Sequence, residues 1–124
     1  MEALTQIVVD QTPVLLVAYD SAYPEPLHAV RPIPDAFGIA MVLAPVSSAA
    51  SAAGSSMVPA LLTATLTDSP ADSMQDARLE FLRASIPAAR CLPLLSKLAR
   101  QESGRVVIDY LEDQRIAIEV APWR

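Results

Sequence analysis

The sequence has few of the side chains on which enzymes rely. Its 124 residues include one histidine, one cysteine and three isolated glycines. A metal site needs a cluster of ligands and a phosphate-binding loop needs several glycines, so the composition predicts neither a metal nor a cofactor. A serine nucleophile would depend on His28 and has no G-x-S-x-G turn to present it. We therefore expect no catalytic residue in this chain.

The single cysteine, Cys91, predicts a structural thiol. It lies in the apolar segment 88–95, where a small buried side chain is the usual interpretation. One cysteine excludes an internal disulfide and suits a reducing compartment. No histidine is near Cys91 in the sequence to activate it.

No apolar run is long enough for a membrane span. The runs 14–18 and 39–45 are far shorter than the ~20 residues that a bilayer requires, and the acidic start MEALTQ is unlike a signal peptide. We expect a cytoplasmic protein. Because 52% of its residues are hydrophobic, residues 1–124 should form one domain with a sizeable core.

Positive charge is scarce and unevenly placed. The net charge is −5, which argues against nucleic acid as a partner. Residues 1–77 carry eight acidic side chains and one basic one, whereas residues 78–105 carry six basic and two acidic ones. The basic segment is either a solvated helical face or a docking patch for an acidic partner. The candidate docking residues are Arg83, Arg90, Lys97 and Arg100.

The first half of the chain has two apolar runs on either side of a proline-rich loop. The run 14–20, VLLVAYD, is continuously apolar up to its final aspartate, which predicts an interior strand covered on both faces. FGIAMVLAP, 37–45, is predicted to be its antiparallel neighbour. The prolines of 21–34 should prevent both helix and strand and should fix a loop surface. That surface would present Tyr19, Tyr23 and His28.

Other local patterns predict helices and a half-exposed strand. Residues 2–11 fit a short helix without a clear cap, and 47–56, SSAASAAGSS, fits an exposed connection. Alternation of leucine or alanine with threonine predicts a strand over 60–67, with its threonines in water. Ser73 and Asp76 resemble a capping box that begins a helix with Met74, Ala77 and Phe81 on one face.

The C-terminal part predicts a helix followed by a hairpin. After the break at Pro87, a second helical stretch covers about 87–102 and stops before Gly104. Apolar residues then alternate on both sides of the polar turn 112–114. This pattern predicts a β-hairpin in which Val106, Ile108 and Tyr110 face Ile116, Ile118 and Val120.

Four segments together resemble a β-ketoacyl synthase-like family whose members accompany ketosynthases in bacterial aryl-polyene pigment clusters. They are LLVAYDSAYPEPL, FGIAMVLAP, PAARCLPLLSKLAR and GRVVIDYLEDQRIAIEV. The most specific part is the V-A-Y-D strand end with Y-P-E-P behind it, Val17 to Pro26. In the wider ketosynthase and thiolase fold such a strand is followed by an antiparallel partner of the form F-A-x-A-L-V-L, to which Phe37 to Leu43 is similar. The resemblance implies that these are the last two core strands of one thiolase half.

This resemblance implies an α/β fold: a partial thiolase-like (ketosynthase-like) domain with a mixed sheet, flanking helices and a C-terminal β-hairpin. It also implies an earlier βαβ portion before Met1. A ketosynthase carries its nucleophilic cysteine on an elbow upstream of the strand pair and two histidines in the other half of the fold. Cys91 follows the pair and does not match the elbow, so no catalytic residue is carried over.

The function implied by the resemblance is that of a non-catalytic, chain-length-factor-like subunit. Such a subunit shapes the acyl tunnel while its partner carries out condensation in polyene or fatty-acid-type biosynthesis. The expected partners are a ketosynthase subunit or a second copy of the chain, together with an acidic acyl carrier protein at the basic segment. Two alternatives are a fragment of an active β-ketoacyl synthase whose cysteine lies upstream, and an independent small binding domain.

Overall fold

The computed structural model describes residues 1–49 and 60–122, which form helices and two small sheets. The helices are α1 (Glu2–Asp10), α2 (Leu27–Val30), α3 (Val46–Ala49), α4 (Ala77–Ser85), the 3-10 helix Pro87–Cys91, and α5 (Leu92–Ala99). The strands are β1 (Val14–Asp20), β2 (Phe37–Leu43), β3 (Ala60–Thr67), β4 (Gly104–Asp109) and β5 (Arg115–Pro122). A combination of helices and strands was expected from the sequence.

In the part of the chain that the structure describes, the first sheet consists of β1 and β2. The strands are antiparallel, in a register that runs from Val14 opposite Leu43 to Asp20 opposite Phe37. The predicted antiparallel neighbours are thus confirmed. The prediction that β1 is an interior strand covered on both faces is wrong, because among the described strands β1 pairs only with β2 and because Val17 is 55% exposed. The predicted mixed sheet is also wrong, since both sheets of the described residues are antiparallel.

The second sheet has the order β3-β5-β4. Its inner face packs against α5 through Leu94 and includes Val106, Ile118 and Val120 in one buried cluster. On the opposite face Thr63 and Thr65 are exposed, as alternation predicts, and Thr67 is half-buried. Val107 and Ala117 lie beside Thr65 on this face and are buried. The C-terminal hairpin is confirmed, with Ile118 opposite Val106. Tyr110 is the exception, because β4 ends at Asp109 and Tyr110 belongs to the turn.

The helices follow their predicted positions with local corrections. Residues 2–11 were expected to be helical, and α1 has no side-chain cap, as predicted. Helix α4 begins later than expected because the Asp76 side chain is its cap, accepting hydrogen bonds from the backbone N–H groups of Arg78 and Leu79 at 2.9 and 3.1 Å. Met74 therefore lies outside the helix. The predicted face of Met74, Ala77 and Phe81 is therefore wrong for Met74, whereas Ala77 and Phe81 lie one turn apart in α4 and share a face, on which Phe81 is 59% exposed.

Prolines divide the segment that was predicted to be one helix over 87–102. It consists of the 3-10 helix, which has Pro87 in its first turn, and α5, which has Pro93 in its first turn. Beyond α5 the backbone turns at Gln101 and Gly104, both with positive φ, which a glycine adopts readily. The predicted stop near Gly104 is therefore a turn into β4.

The proline-rich loop contains the short helix α2, so the prediction of no helix there is wrong. The fixed φ of Pro26 suits the position before a helix, where its missing N–H group costs no hydrogen bond. The loop is anchored by Ile33, which is 2% exposed and packs with Ile86 and Ala89 in a second buried cluster. Of the predicted connection 47–56, residues 50–56 lie outside the described residues.

No helix in the described ranges combines the length and the hydrophobicity that crossing a membrane would require.

Candidate functional site

A cavity of about 250 Å³ lies between the two sheets. The inner face of the β1–β2 sheet forms one wall, the 3-10 helix forms a second, and the end of β4 closes a third side. The residues of these three walls are, in that order, Leu16, Ala18, Ile39 and Met41; Pro87, Ala88, Arg90 and Cys91; and Ile108, Asp109 and Tyr110. Most of this surface is aliphatic, so the cavity is suited to an apolar group.

The 3-10 helix is held in place over β1 by one hydrogen bond and one buried cluster. The backbone N–H of Ala88 donates to Oδ2 of Asp20, at the end of β1, with a distance of 2.6 Å. Below it, Ile86 and Ala89 are almost fully buried against Ile33. These contacts fix the second wall of the cavity relative to the first.

One acidic side chain of the cavity, Asp109, is already paired with two arginines. Arg83 approaches its Oδ2 at 3.3 Å, and Arg115 approaches its Oδ1 at 3.6 Å. Arg83 also binds Glu80 at 2.7 Å. The hydrogen bonds from Arg83 and from the backbone of Met74 lower the pKa of Glu80 to about 2. This network joins α4 to β4 and balances the charge of Asp109.

Arg90, the cationic residue that lines the cavity, differs from Asp109 in its ion pairing. Its side chain is exposed, and it forms no ion pair within residues 1–49 and 60–122. Arg90 is therefore available to an anion.

The Cys91 thiol is held in its neutral form. It is half-buried, its Sγ donates to the carbonyl oxygen of Ala88 at 3.2 Å, and burial raises the pKa of the thiol. A nucleophilic cysteine needs the opposite shift, towards the thiolate. This environment suits a residue of the cavity wall rather than a nucleophile.

A second feature is the outward face of the β1–β2 sheet. In the observed register Leu15, Val17 and Tyr19 lie opposite Val42, Ala40 and Gly38, so the side chains of these pairs share one face. Leu15 is 64% exposed, Tyr19 77% and Val42 69%. We use the name outward face for these six residues. It is an apolar surface that no residue of the described ranges covers.

The structure separates the four predicted docking residues. Arg83 lies in α4, Arg90 in the 3-10 helix and Lys97 in α5, while Arg100 follows the end of α5. Arg83 is bound by Glu80 and Asp109 and its side chain is 14% exposed, so it is poorly placed to meet a partner. Arg90 and Arg100 are exposed and Lys97 is half-buried.

The predicted loop surface is spread over three elements. Tyr19 belongs to the outward face, Tyr23 follows β1 and is 37% exposed, and His28 is half-buried in α2. The Nδ1 atom of His28 is buried and has no hydrogen-bond partner in the described part of the chain. No single element carries all three residues, so their shared surface stays a prediction.

Sequence reasoning did not find the cavity. Its walls come from residues 16–41 and 87–110, and no sequence pattern in either segment indicates that the two segments pack against each other. One indication was the aspartate that ends an otherwise apolar strand, since a carboxylate there needs a partner; that partner is the N–H of Ala88.

Metal binding receives no support in the described ranges, where no three histidine, cysteine, aspartate or glutamate residues are grouped as ligands. The chain matches no family model, no curated protein and no solved structure at a significant level.

Proposed function

We propose that this chain is a non-catalytic, chain-length-factor-like subunit that binds a ketosynthase and supports acyl-carrier-dependent condensation in polyene or fatty-acid-type biosynthesis. The observation that carries the proposal is the outward face. A sheet that is apolar on both sides but covered on one side only is typical of a structure completed by another chain.

The exposed side chains supply part of the driving force for such an interaction. Burial of a large aliphatic or aromatic side chain contributes about 1.5–3 kcal/mol, and the outward face offers Leu15, Val17, Tyr19 and Val42. Within the ranges 1–49 and 60–122, each of the two strands also has one edge that pairs with no other strand, and the N–H and C=O groups of such an edge can accept a further strand. A specific interface usually buries about 1,200–2,000 Å² in total, so a ketosynthase would contact neighbouring surfaces as well.

The choice of partner comes from the resemblance. It describes β1 and β2 as the last two core strands of one thiolase half, and their antiparallel register agrees with that description. In a thiolase-like fold this pair would continue into further strands and covering helices. We propose that a ketosynthase subunit provides the missing cover, and that the assembly is cytoplasmic.

The non-catalytic part of the proposal is supported by Cys91. Burial raises the pKa of its thiol, which lowers the fraction of thiolate at neutral pH. A condensing enzyme needs a thiolate to accept the acyl group. The partner would therefore supply the nucleophile.

The test is sedimentation velocity of the chain alone and with a ketosynthase from an aryl-polyene cluster. We expect a stable complex that Val42→Lys weakens at least about tenfold, because a charge would be buried in an apolar interface. Thr65→Lys is the matched control: Thr65 is exposed on β3, so the variant adds the same charge away from the outward face.

Two outcomes would overturn the proposal. One is a chain that stays monomeric and does not bind the ketosynthase. The other is a homodimer that Val42→Lys disrupts while no ketosynthase binds, which would assign the outward face to a second copy.

A further inference from the structure

The cavity between the sheets has no role in ketosynthase binding through the outward face. We propose that it binds a small monocarboxylate with an apolar tail, whose carboxylate pairs with the guanidinium of Arg90 and whose tail lies against the inner face of the β1–β2 sheet. This inference does not depend on the proposed partner.

The size and the lining of the cavity indicate which apolar tail of a ligand it can hold. Pockets for drug-sized ligands measure about 300–1,000 Å³, and this one, at about 250 Å³, is slightly smaller. Leu16, Ile39 and Met41 present flexible aliphatic side chains to it. A short alkyl chain fits these walls, whereas a large ring system does not.

The charges of the cavity define the head group. Asp109 and Arg90 are the charged residues that line it. Asp109 is neutralised by Arg83 and Arg115, and the Cys91 thiol is uncharged. Arg90 is left as the uncompensated charge, so an anion is favoured over a cation.

A carboxylate is the anion that best suits this arrangement. The guanidinium of Arg90 offers parallel N–H donors that match the two oxygens of a carboxylate. The remaining walls are aliphatic and provide few donors for the further oxygens of a phosphate or sulfate.

Small side chains and fixed walls keep the cavity open. Ala18 on β1 and Ala88 on the 3-10 helix line it where a larger residue would fill it. The hydrogen bond from Ala88 to Asp20 and the cluster around Ile86 fix the position of the 3-10 helix relative to β1. The space is therefore a consequence of the packing of its walls.

The experiment is a titration of the ¹⁵N-labelled chain with octanoate, followed by amide chemical shifts, with octan-1-ol as the uncharged ligand of equal length. We expect saturable shifts at residues of the cavity walls and about two- to fivefold weaker binding of octan-1-ol, because the alcohol lacks the charge that pairs with Arg90 and an ion pair to an exposed arginine is screened by solvent. Arg90→Gln should weaken octanoate by a similar factor and leave octan-1-ol unchanged.

Three further variants serve as controls. Arg78→Gln removes an exposed arginine that does not line the cavity and should bind octanoate like the parent. Ala18→Leu should fill the cavity and abolish binding of both ligands, and Ala88→Leu provides a second filling variant if Ala18→Leu does not fold. Val42→Lys should leave octanoate binding unchanged, which separates this test from that of the ketosynthase.

The inference is overturned if octanoate causes no saturable shifts, if the shifts map to the outward face, or if Arg90→Gln binds octanoate as tightly as the parent. Since Arg90 is exposed, Arg90→Gln is expected to fold, which thermal unfolding of the variant checks.

Discussion

The β3-β5-β4 sheet and the β1–β2 sheet have strands of similar length but opposite relations to solvent. In the first, Val106 is 2% exposed and Val120 4%. In the second, Val17 is 55% exposed and Val42 69%. The same residue type is therefore core in one sheet and surface in the other.

The difference follows from the pattern of each strand. Thr63 and Thr65 give β3 one polar face, so the chain needs only α5 and its neighbours to cover the other face. In β1 both faces are apolar, and the 3-10 helix and α1 contact this sheet without covering the outward face. An alternating strand can be completed by its own chain, whereas a continuously apolar one calls for cover on two sides.

The two sheets meet at the 3-10 helix. It contacts β1 and β2 on one side and β4 on the other, and the cavity lies among these elements. We therefore regard the β3-β5-β4 sheet as the better-covered part of the chain and the β1–β2 sheet as an attached element with one exposed apolar face. The following predictions test this division.

The largest effect, on the free energy of unfolding, is expected when a valine is replaced by alanine in each of the two sheets. Val106→Ala should lower the free energy of unfolding by about 2–3 kcal/mol, since it removes two buried methyl groups and leaves a cavity. Val42→Ala should cost less than about 0.5 kcal/mol, because its side chain is already in water. Urea denaturation measures both values. Equal losses would show that the outward face is buried in solution and would contradict the division.

A smaller effect is expected from acid, through the network that joins α4 to β4. The pKa of Glu80 is about 2 in the folded chain, below its ordinary value of 4.5. The unfolded chain therefore binds a proton more readily, and the contribution of Glu80 to stability is complete above about pH 4.5 and lost as the pH falls towards 2. Melting temperatures across this window should fall less steeply for Glu80→Gln than for the parent.

Arg83→Gln is the companion variant for this prediction. It removes the donor that does most to lower the pKa of Glu80, so its acid dependence should resemble that of Glu80→Gln. An unchanged acid dependence in both variants would show that the network does not form in solution.

A still smaller effect concerns Cys91, at the boundary between the two sheets. Because burial raises the pKa of its thiol, its reaction with iodoacetamide at neutral pH should be at least about tenfold slower than that of free cysteine. The rate should approach that of free cysteine in urea, where the boundary opens. Rapid alkylation of the folded chain would contradict the assignment of Cys91 to the cavity wall.

The sequence predicted individual elements better than their assembly. Alternation placed β3 and the hairpin correctly, and the apolar run at 14–20 correctly indicated a strand. The apolar run did not show whether the second face of that strand is covered within the chain. A continuous run indicates that both faces of a strand are apolar, but it does not indicate which residues pack against them. Reading β1 as an interior strand failed for this reason.

The candidate site was harder to predict for a related reason. Arg83, Arg90 and Lys97 were predicted to belong to one helical face or one docking patch, but the breaks at Pro87 and Pro93 place them on three elements. The partners of Arg83 include Asp109, which is 26 residues away in sequence. Pairings over such distances depend on how the elements pack, and local patterns contain no information about them.

The smallest expected effect concerns two cations of the basic segment, the exposed Arg90 and the half-buried Lys97. If the assembled complex receives an acidic carrier protein through Arg90 and Lys97, then Arg90→Glu combined with Lys97→Glu should slow its association several-fold at low salt, because such charges act mainly on the association rate. The difference should disappear as salt is added, since the screening length falls from about 30 Å at 0.01 M to about 8 Å at 0.15 M.

The matched control is Arg78→Glu with Arg105→Glu, which changes the net charge equally at two other positions, both of them exposed. Stopped-flow association rates for both pairs across a salt series separate the two interpretations of the basic segment. Slower association of the Arg90 and Lys97 variant alone supports docking. Equal association rates for the two double variants would identify the segment as a solvated surface that affects a carrier protein only through its total charge.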